Sequence, residues 1–332
     1  MLQPILKTLF NYQAISREQA REVLINITKE VYTKSEVVAF LSVYMMRSVT
    51  VEELSGFRDG LLEQRLPVDL SDFDTVDLCG TGGDGKNTFN ISTLASFIVA
   101  GAGIKVAKHG NYGVSSGCGS SNVLEKLGYR FTSDVDLLKK QLDKTGICFL
   151  HAPLFHPAMK AVGPIRRELG IKTFFNMLGP LVNPSGPNSQ MIGVYNMELA
   201  RIYQYLLQED NAKFAVIHST DGYDEISLTA PFKLITQNGE KLITAKELGL
   251  PANTPESIAG GSTIDGAAEV FMKVIGGEGT ESQNNAVIAN AAFAILSNKP
   301  GYSIDKCLEM ASDSLRSGKA HKALKNLLNT QN

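Results

Sequence analysis

Cysteine is scarce in this chain, and the few cysteines form no functional pattern. Cys79, Cys118, Cys148 and Cys307 occur among 332 residues, with neither C-x-x-C spacing nor the density of a disulfide framework. Small disulfide-bonded domains of secreted proteins are rich in cysteine, so a framework of that kind is excluded. We therefore expect reduced, mostly buried thiols and a cytoplasmic protein.

A long hydrophobic run is also missing. The longest apolar stretch, residues 94–104, is interrupted by Gly101 and Gly103 and is shorter than a membrane-spanning helix. Residues 1–10 do not contain the apolar core of a signal peptide. The sequence therefore predicts no membrane partner.

An excess of basic charge is absent as well. The net charge is −2 at pH 7 and the isoelectric point lies near 6.2. A broad nucleic-acid-binding surface needs clustered lysine and arginine, so we expect no nucleic-acid partner. The hydrophobic content of 43% and the 30 glycines are instead typical of a globular, loop-rich enzyme, and the length allows two domains.

The spacing of apolar residues changes near residue 70. Residues 1–65 have helical spacing, with helix-starting sequences at Ser16, Thr33 and Thr50. From about Asp74 onward, short β-branched runs alternate with helical segments. Strands are predicted at 76–79, 104–107, 147–150, 191–194 and 214–219, and helices at 120–127, 135–144, 199–208, 266–275 and within 282–328. This alternation predicts an α/β fold with a mostly parallel central sheet.

A glycine-rich turn follows the first predicted strand and precedes a helical pattern. Residues 77–93 read DLCGTGGDGKNTFNIST. Glycines let the backbone approach a ligand closely, and the start of a helix presents free N–H groups and a positive dipole end to an anion. The turn therefore predicts a phosphate-binding loop.

Two common nucleotide-binding templates fit this turn incompletely. Its glycines match G-x-G-x-x-G, but that template requires an acidic residue about twenty positions later. The first acidic residue after Asp84 is Glu125, which lies too far along the chain. A Walker A loop requires Ser or Thr after its lysine, and Asn87 follows Lys86. A loop for phosphoribosyl pyrophosphate (PRPP) remains as the third template.

A second polar loop, residues 108–121, follows the second predicted strand. It contains Lys108, the amide of Asn111, several hydroxyl groups and repeated glycines. Because loops at the carboxyl ends of neighbouring parallel strands share one crevice, we expect both loops to line the same site. Donors of this kind suit a multiply phosphorylated sugar.

Asp224 and Glu225 supply acidic groups after the strand predicted at 214–219. Adjacent carboxylates that face a phosphate loop can hold magnesium, which prefers a few oxygen ligands together with water and substrate phosphates. An isolated Asp-Glu pair is equally common in a solvated acidic turn. The magnesium interpretation therefore depends on the two loops.

Five motifs in these segments together resemble the anthranilate phosphoribosyltransferase family. They are GTGGD at 80–84, NIST at 90–93, KHGN at 108–111, NMLGPLVNP at 176–184 and DE at 224–225. The resemblance covers nearly the whole chain and implies the nucleoside phosphorylase-like fold. It implies a small helical domain at 1–68, completed by a helical segment near 164–186, and an α/β domain at 72–332. It also implies an active site in the cleft between the domains, and a homodimer.

The resemblance implies an activity as well. In that family a phosphoribosyl group passes from PRPP to the amino group of anthranilate, and pyrophosphate is released, as part of tryptophan biosynthesis. The expected protein is therefore a magnesium-dependent transferase with PRPP and anthranilate as substrates. Two Mg²⁺ ions per subunit are expected with PRPP.

Individual residues receive roles from the same resemblance. The positions that match magnesium ligands are Ser92, Asp224 and Glu225. Those that match anthranilate contacts are Gly80, Asn111 and Arg166. His109 matches a position that could orient the amine or accept its proton. The positions that match PRPP contacts are Gly80, Gly83, Asp84, Thr88, Asn90, Ile91, Ser92, Thr93, Lys108, His109, Gly110, Asn111, Tyr112, Gly113, Val114, Ser115, Ser116 and Ser120.

The second loop departs from the family pattern. After KHGN the family continues with Arg-Ala-Val-Ser-Ser-Lys, whereas Tyr112 and Gly117 replace the two cations here, and Asn122 replaces an aspartate. Loss of positive charge beside a pyrophosphate predicts weaker PRPP binding, unless Lys86, Lys108 or a second magnesium ion compensates.

Three other functions stay open. They are transfer to a different aromatic amine, phosphorolysis of nucleosides by the same fold, and nucleic-acid binding without catalysis. A phosphorylase would carry a lysine-rich phosphate motif, which is not found in this sequence. A nucleic-acid-binding relative would have a basic surface and would have lost the acidic pair or the anthranilate contacts. This chain has a net charge of −2 and retains Arg166, Asp224 and Glu225.

Overall fold

The structure is a computed structural model that describes residues 1–113, 117–210, 213–261 and 263–331. The helices are α1 (Gln3–Phe10), α2 (Arg17–Thr28), α3 (Lys34–Met46), α4 (Val51–Glu63), α5 (Ile91–Gly101), α6 (Ser120–Lys126), α7 (Val135–Thr145), α8 (Ala152–Phe155), α9 (Met159–Leu169), α10 (Met197–Glu209), α11 (Ile264–Ile275), α12 (Glu281–Asn298), α13 (Ile304–Arg316) and α14 (Lys319–Asn329). The strands are β1 (Thr75–Gly80), β2 (Lys105–Gly110), β3 (Ile147–His151), β4 (Ser189–Gly193), β5 (Lys213–Ser219), β6 (Phe232–Thr236) and β7 (Gly239–Ile243). Short 3₁₀ helices occur at Phe174–Met177, Gly179–Leu181, Lys246–Leu248 and Pro255–Ile258.

The chain divides into two units. A helical unit comprises residues 1–67 and 152–184, and an α/β unit comprises residues 68–151 and 185–332. In the helical unit, Ser16, Thr33 and Thr50 each accept a hydrogen bond from the backbone N–H three residues later. These side chains satisfy amide groups that a helix start leaves unpaired, so the three predicted helix starts are confirmed. The predicted domain limits, 1–68 with 164–186 and 72–332, stay predictions.

Aromatic side chains form the centre of the helical unit. The rings of Phe57 and Phe174 stack with their centroids 4.2 Å apart. Phe40 meets both rings edge-on, with centroids 6.0 and 6.1 Å away. Phe174 belongs to the second segment of the unit, so buried aromatic area joins residues 152–184 to the N-terminal helices.

A seven-stranded sheet forms the α/β unit, in the order β3-β2-β1-β4-β5-β6-β7. The first five strands in this order are parallel, and β6 and β7 pair antiparallel at one edge. The predicted α/β class with a mostly parallel sheet is therefore confirmed. The β6–β7 hairpin was not predicted, because β7 is exposed along most of its length and has no apolar alternation.

The packing of this unit brings the carboxyl ends of several strands together at one edge of the sheet. Helices α5 and α12 pack on each other and against β1. Almost every residue of α5 is buried, which explains its nearly continuous apolar sequence. Because β1, β2, β4 and β5 are parallel, their carboxyl ends lie along the same edge. Within the described residues, no helix is long and apolar enough to cross a membrane.

Candidate active site

The glycine-rich turn leaves the carboxyl end of β1 and leads into α5. Gly82, Gly83 and Gly85 have positive φ angles of 67°, 80° and 72°, a region that residues with a side chain rarely adopt. Gly80 meets a different constraint, since a Cβ atom there would lie 2.4 Å from Oδ2 of Asp224. The turn therefore needs glycine both for its backbone shape and for the close approach of the acidic segment.

The acidic pair reaches the same turn from the loop after β5. Asp224 Oδ2 accepts a hydrogen bond of 2.6 Å from the N–H of Gly82. Glu225 Oε1 accepts one of 3.3 Å from the N–H of Ser92, in the first turn of α5. A helix N-terminus favours negative charge. The structure thus brings together Ser92, Asp224 and Glu225, the residues that the resemblance assigns to magnesium.

The two carboxyl groups are held close to each other with little access to water. Asp224 is 8% exposed, and its burial, together with the charges of Glu225 and Asp84, raises its pKa well above the ordinary value. Burial also raises the pKa of Glu225, although the positive charge of Lys108 and hydrogen bonds from Ser92 oppose this shift. Neighbouring buried carboxylates repel each other unless a cation lies between them, so the site is suited to bind one.

The donor set fits magnesium in particular. Among the residues that the structure describes, no three His, Cys, Asp or Glu side chains are grouped so as to hold a metal ion. An ion bound by Asp224 and Glu225 would need further oxygen ligands from Ser92, water or a phosphate. Magnesium has this preference for few protein carboxylates completed by water and substrate phosphates.

The second loop is joined to the first by hydrogen bonds from side chains to the backbone. Nδ2 of Asn90, just before α5, donates to the carbonyl of Cys118 at 3.0 Å. Oδ1 of Asn122 accepts the N–H groups of Gly113 and Gly119 at 2.9 and 3.0 Å. The polar residues predicted to form one phosphate site therefore do lie on neighbouring, connected loops.

Tyr112 stands where the resemblance led us to expect a cation, and its ring packs against the protein. The ring meets that of His151 edge-on, with centroids 4.9 Å apart, and the hydroxyl donates to Glu125 at 3.4 Å. His151 in turn stacks on Phe131 at 4.3 Å, and burial lowers its pKa. The next predicted PRPP residues, Val114, Ser115 and Ser116, lie outside the described residues.

The two lysines expected to compensate for the missing cations have different environments. Lys108 is 2% exposed, and its ammonium group donates to the carbonyl of Leu78. Lys86 is exposed, and its Nζ lies 4.7 Å from the ring centroid of Tyr223. Of these two, Lys86 is the cation open to a ligand from solvent, while Lys108 supports Glu225 from within the protein.

Besides Lys108, three further predicted PRPP residues have buried side chains. Ile91, Thr93 and His109 are between 1% and 3% exposed. The backbone N–H of His109 donates to Oδ1 of Asp77 at 3.1 Å. Backbone groups of these residues are therefore better placed than their side chains to meet a ligand, and the burial of His109 favours positioning over proton transfer.

Two further predicted residues support the loops of the site through backbone contacts, and one of them, Thr88, contacts a part of the chain that the sequence did not connect with the site. Thr88 forms an isolated antiparallel bridge with Ala259, and the N–H of Gly260 donates to the carbonyl of Asn87 at 2.7 Å. In the sequence, this contact with Asn87 and Thr88 is indicated only by the two adjacent glycines that precede α11. Oγ of Ser120 donates to the carbonyl of Asn111 at 3.3 Å and so closes the base of the second loop.

Gly193 was missed by the sequence reasoning. It is the partner of Gly80 in the β1–β4 register, and a Cβ atom there would lie 1.6 Å from the carbonyl oxygen of Asp224. Two glycines on adjacent strands therefore form the floor on which the acidic segment rests. A single glycine at the end of a strand gives no local signal of this role.

Arg166 belongs to α9 of the helical unit. Its Nη2 donates to Oδ1 of Asn176 at 3.2 Å, and the guanidinium carbon lies 5.5 Å from the ring centroid of Phe175. Burial lowers the pKa of Arg166, though an arginine remains charged at neutral pH. A partly buried, oriented guanidinium is suited to bind a carboxylate.

Two family models match the chain. A model described as the helical bundle domain of a glycosyl transferase family matches residues 3–64. A model described as the a/b domain of a glycosyl transferase family matches residues 72–321.

Known proteins are similar over almost the full length. An anthranilate phosphoribosyltransferase of Flavobacterium johnsoniae is 57% identical over 331 residues, which cover 98% of each chain. The crystal structure of the enzyme of that name from Thermus thermophilus is 29% identical, with a TM-score of 0.91 over 98% of each chain. The enzyme of that name from Saccharomyces cerevisiae, in complex with PRPP and Mg, is 25% identical, with a TM-score of 0.91 over 99% of this chain and 97% of that one.

Proposed function

The chain belongs to the anthranilate phosphoribosyltransferase family, and from this membership we propose that it transfers the phosphoribosyl group of PRPP to the amino group of anthranilate. The reaction is magnesium-dependent, releases pyrophosphate and is a step of tryptophan biosynthesis. The observation that carries the proposal is the contact of Asp224 and Glu225 with the glycine-rich turn and the first turn of α5. The metal-binding carboxylates therefore lie against the glycine-rich turn and the N-terminus of α5, the two elements predicted to bind phosphate.

Ser92, Asp224 and Glu225 are the residues that would hold magnesium. When bound, the ion neutralises negative charge that grows on the departing pyrophosphate. We propose two ions for each subunit, as the family resemblance implies; the negative charge of Asp84, which acts on Asp224, would favour the additional positive charge. A second ion would also supply positive charge in place of the two cations that the second loop lacks.

The chain's own contribution is to bind and orient the substrates. The glycine-rich turn and the positive end of the α5 dipole bind the phosphates, and polar groups of the second loop hold the sugar with carbon 1 open to the amine. Holding two reactants in a productive orientation can lower a barrier by roughly 7–11 kcal/mol in favourable cases. An aromatic amine attacks in its neutral form, so the buried His109 need not act as a strong base.

Anthranilate is assigned to Gly80, Asn111 and Arg166. A guanidinium group recognises a carboxylate through charge-assisted hydrogen bonds. We therefore assign the carboxylate of anthranilate to Arg166. Asn111 lies at the start of the second loop and would face the amine. Its Oδ1 accepts the N–H of Tyr112 at 2.8 Å, so the Nδ2 group is the part of the side chain that would contact the substrate.

We place the enzyme in the cytoplasm as a homodimer. All four cysteines are free thiols, as a reducing compartment requires. The last turns of α1 and α3, and the residues directly after α1, expose large apolar side chains, among them Phe10, Tyr12 and Met46. Apolar side chains clustered on a small unit are typical of a surface that pairs with another protein.

Anthranilate fluorescence provides the test. The purified protein is incubated with PRPP, magnesium and anthranilate, and we expect the fluorescence to fall only when all three are present. Chelation of magnesium with EDTA should stop the loss, and excess magnesium should restore it. Turnover of another aromatic amine without turnover of anthranilate would reassign the acceptor, and no turnover of any amine would contradict the proposed function.

A further inference from the structure

The segment that carries Asp224 and Glu225 is irregular, so its backbone groups depend on partners from elsewhere. Residues 220–231 form neither helix nor strand. Buried N–H and C=O groups in such a segment must be satisfied by other parts of the protein. The partners that satisfy them therefore decide where the two carboxylates lie.

Asn290 of α12 binds this segment at the residue directly after Glu225. Its Oδ1 accepts the N–H of Ile226 at 3.1 Å, and its Nδ2 donates to the carbonyl of Ile226 at 2.9 Å. One carboxamide thus satisfies both backbone groups of a single residue. Asn290 is fully buried, at 0% exposed, so water does not compete for these bonds.

The Asn290 side chain is itself fixed. Its Nδ2 also donates to the carbonyl of Ala286 at 2.9 Å, one turn earlier in α12. Because α12 packs against β1, β4 and β5, the carboxamide is anchored to the same strands whose ends form the site. On the other side of Ile226, Oγ of Ser219 donates to the carbonyl of Glu225 at 2.6 Å.

We propose that Asn290 is a positioning residue that sets the geometry of the magnesium-binding carboxylates by holding Ile226. The inference rests on the proposed function, in which Asp224 and Glu225 bind the metal. Magnesium requires nearly ideal octahedral geometry, so a small displacement of two ligands weakens binding. Removal of the carboxamide would leave two buried backbone groups unpaired, and the segment would shift to satisfy them.

The test compares Asn290→Ala and Asn290→Ser with a matched control, Asn298→Ala. Asn298 lies in the same helix and is 1% exposed, but its Nδ2 donates to Asp74 and Ser189, away from the acidic segment. Serine at 290 has no carboxamide, while its hydroxyl can bond to the helix carbonyl one turn earlier, which makes folding easier to retain.

Two quantities are measured on the full-length variants: the melting temperature, and the magnesium concentration that gives half-maximal PRPP binding in calorimetric titrations. We expect both Asn290 variants to need about tenfold more magnesium or higher, as is typical when groups that orient metal ligands are removed. Asn298→Ala should lower the melting temperature by a similar amount and leave the magnesium requirement at the parental value.

Each other outcome has a stated meaning. A folded Asn290 variant with the parental magnesium requirement would overturn the inference alone. An equal rise in the control would show a general effect of stability and would also overturn it. Loss of folding in both Asn290 variants would make the residue structural and remove the assignment. Absence of magnesium-dependent PRPP binding in the parent protein would overturn the proposed function itself, together with this inference.

Discussion

Arg166 is the residue whose charge the proposed function uses to select the acceptor. Its guanidinium is oriented by Asn176 and packed on Phe175. A hydrogen bond to a charged group contributes about 1.5–3 kcal/mol, so Arg166→Ala should lower kcat/KM for anthranilate about 10- to 100-fold. Arg166→Lys should not restore it, because an ammonium group cannot form the planar two-point contact. Steady-state rates at varied anthranilate check this.

The neighbouring Arg167 provides the matched control for this prediction, because it is exposed in the same helix. Arg167→Ala should leave the KM for anthranilate at its parental value, and neither variant should change the KM for PRPP. Parental kcat/KM in Arg166→Ala would remove this residue from the acceptor site.

His156 contributes to the pH dependence of the stability of the enzyme. It is buried, its Nε2 bonds to the carbonyl of Val182 at 2.8 Å, and burial lowers its pKa to about 4 from an ordinary 6.5. The folded state thus favours the neutral ring, so this stability is fully present above pH 6.5 and is lost as the pH falls toward 4. At about 1.4 kcal/mol per pH unit, the loss between pH 7 and pH 5 is about 2 kcal/mol.

Glutamine at this position should reduce that loss, because it has a side-chain N–H but no proton to gain. Denaturant unfolding of His156→Gln at the two pH values should show a pH dependence about 2 kcal/mol smaller than that of the parent. Comparison with the parent cancels the titration of all other groups. The exposed His321→Gln serves as control and should keep the parental pH dependence. An unchanged pH dependence in His156→Gln would show that the ring is not held neutral.

The acidic pair was predicted from its place after a predictable strand, whereas Ser92 was joined to it only by the family resemblance. The structure brings the three residues together. The environments of single residues were not predictable. Lys108 stands in a phosphate motif, yet its ammonium group bonds to Leu78 inside the protein. Asn290 is separated from Ile226 by 64 residues. No local sequence pattern indicates a contact between residues so far apart along the chain.

At the scale of elements, the second loop and α6 explain how Asn122 can take the place of the aspartate that the family pattern led us to expect. Asn122 lies in the first turn of α6 and accepts the N–H groups of Gly113 and Gly119. An aspartate would accept the same two bonds, but without the family's two cations its charge would repel the pyrophosphate. Asparagine accepts the same two bonds without adding this negative charge.

Loss of this acceptor should loosen the loop. Two hydrogen bonds of about 1 kcal/mol each hold its base, so Asn122→Ala should raise the KM for PRPP by up to about 30-fold. Asn122→Asp should raise it less, because the carboxylate keeps both bonds and adds only repulsion. The anthranilate KM should change little in either variant. Initial rates measured at varied PRPP concentrations check this prediction. A parental KM in Asn122→Ala would show that the loop does not need the two hydrogen bonds to Asn122.

Strands and helices were predictable where burial gives the apolar residues of the sequence a regular spacing. The strands predicted at 76–79, 147–150 and 214–219 lie within β1, β3 and β5. The β6–β7 hairpin was missed because its outer strand is exposed. A helical segment was expected near 164–186, but α9 begins earlier, at Met159, and Pro164 lies inside it. A proline interrupts a helical pattern, so this start was not predictable.

At the scale of the whole molecule, parallel strand order makes the site possible. Strands β1, β2, β4 and β5 are neighbours in the sheet although long stretches of chain separate them, and all four end at one edge. Residues near 80, 110, 193 and 224 thereby meet without any one segment containing them. The alternation of strands and helices predicted that such an edge exists, while the family resemblance was needed to say which ligand it binds.

The assembly of the molecule gives the last prediction. Tyr12 is 79% exposed and Met46 is 80% exposed, both on the helical unit, where a homodimer would bury them. A charged carboxylate at a buried apolar position is strongly unfavourable. Tyr12→Glu and Met46→Glu should therefore shift the enzyme toward monomer in sedimentation equilibrium, while each monomer keeps its fold. Tyr205→Glu is the matched control, because Tyr205 is 58% exposed on the α/β unit and should leave the dimer intact. A parent protein that sediments as a monomer at all concentrations would contradict the dimer, and dimers that persist in both helical-unit variants would place the interface elsewhere.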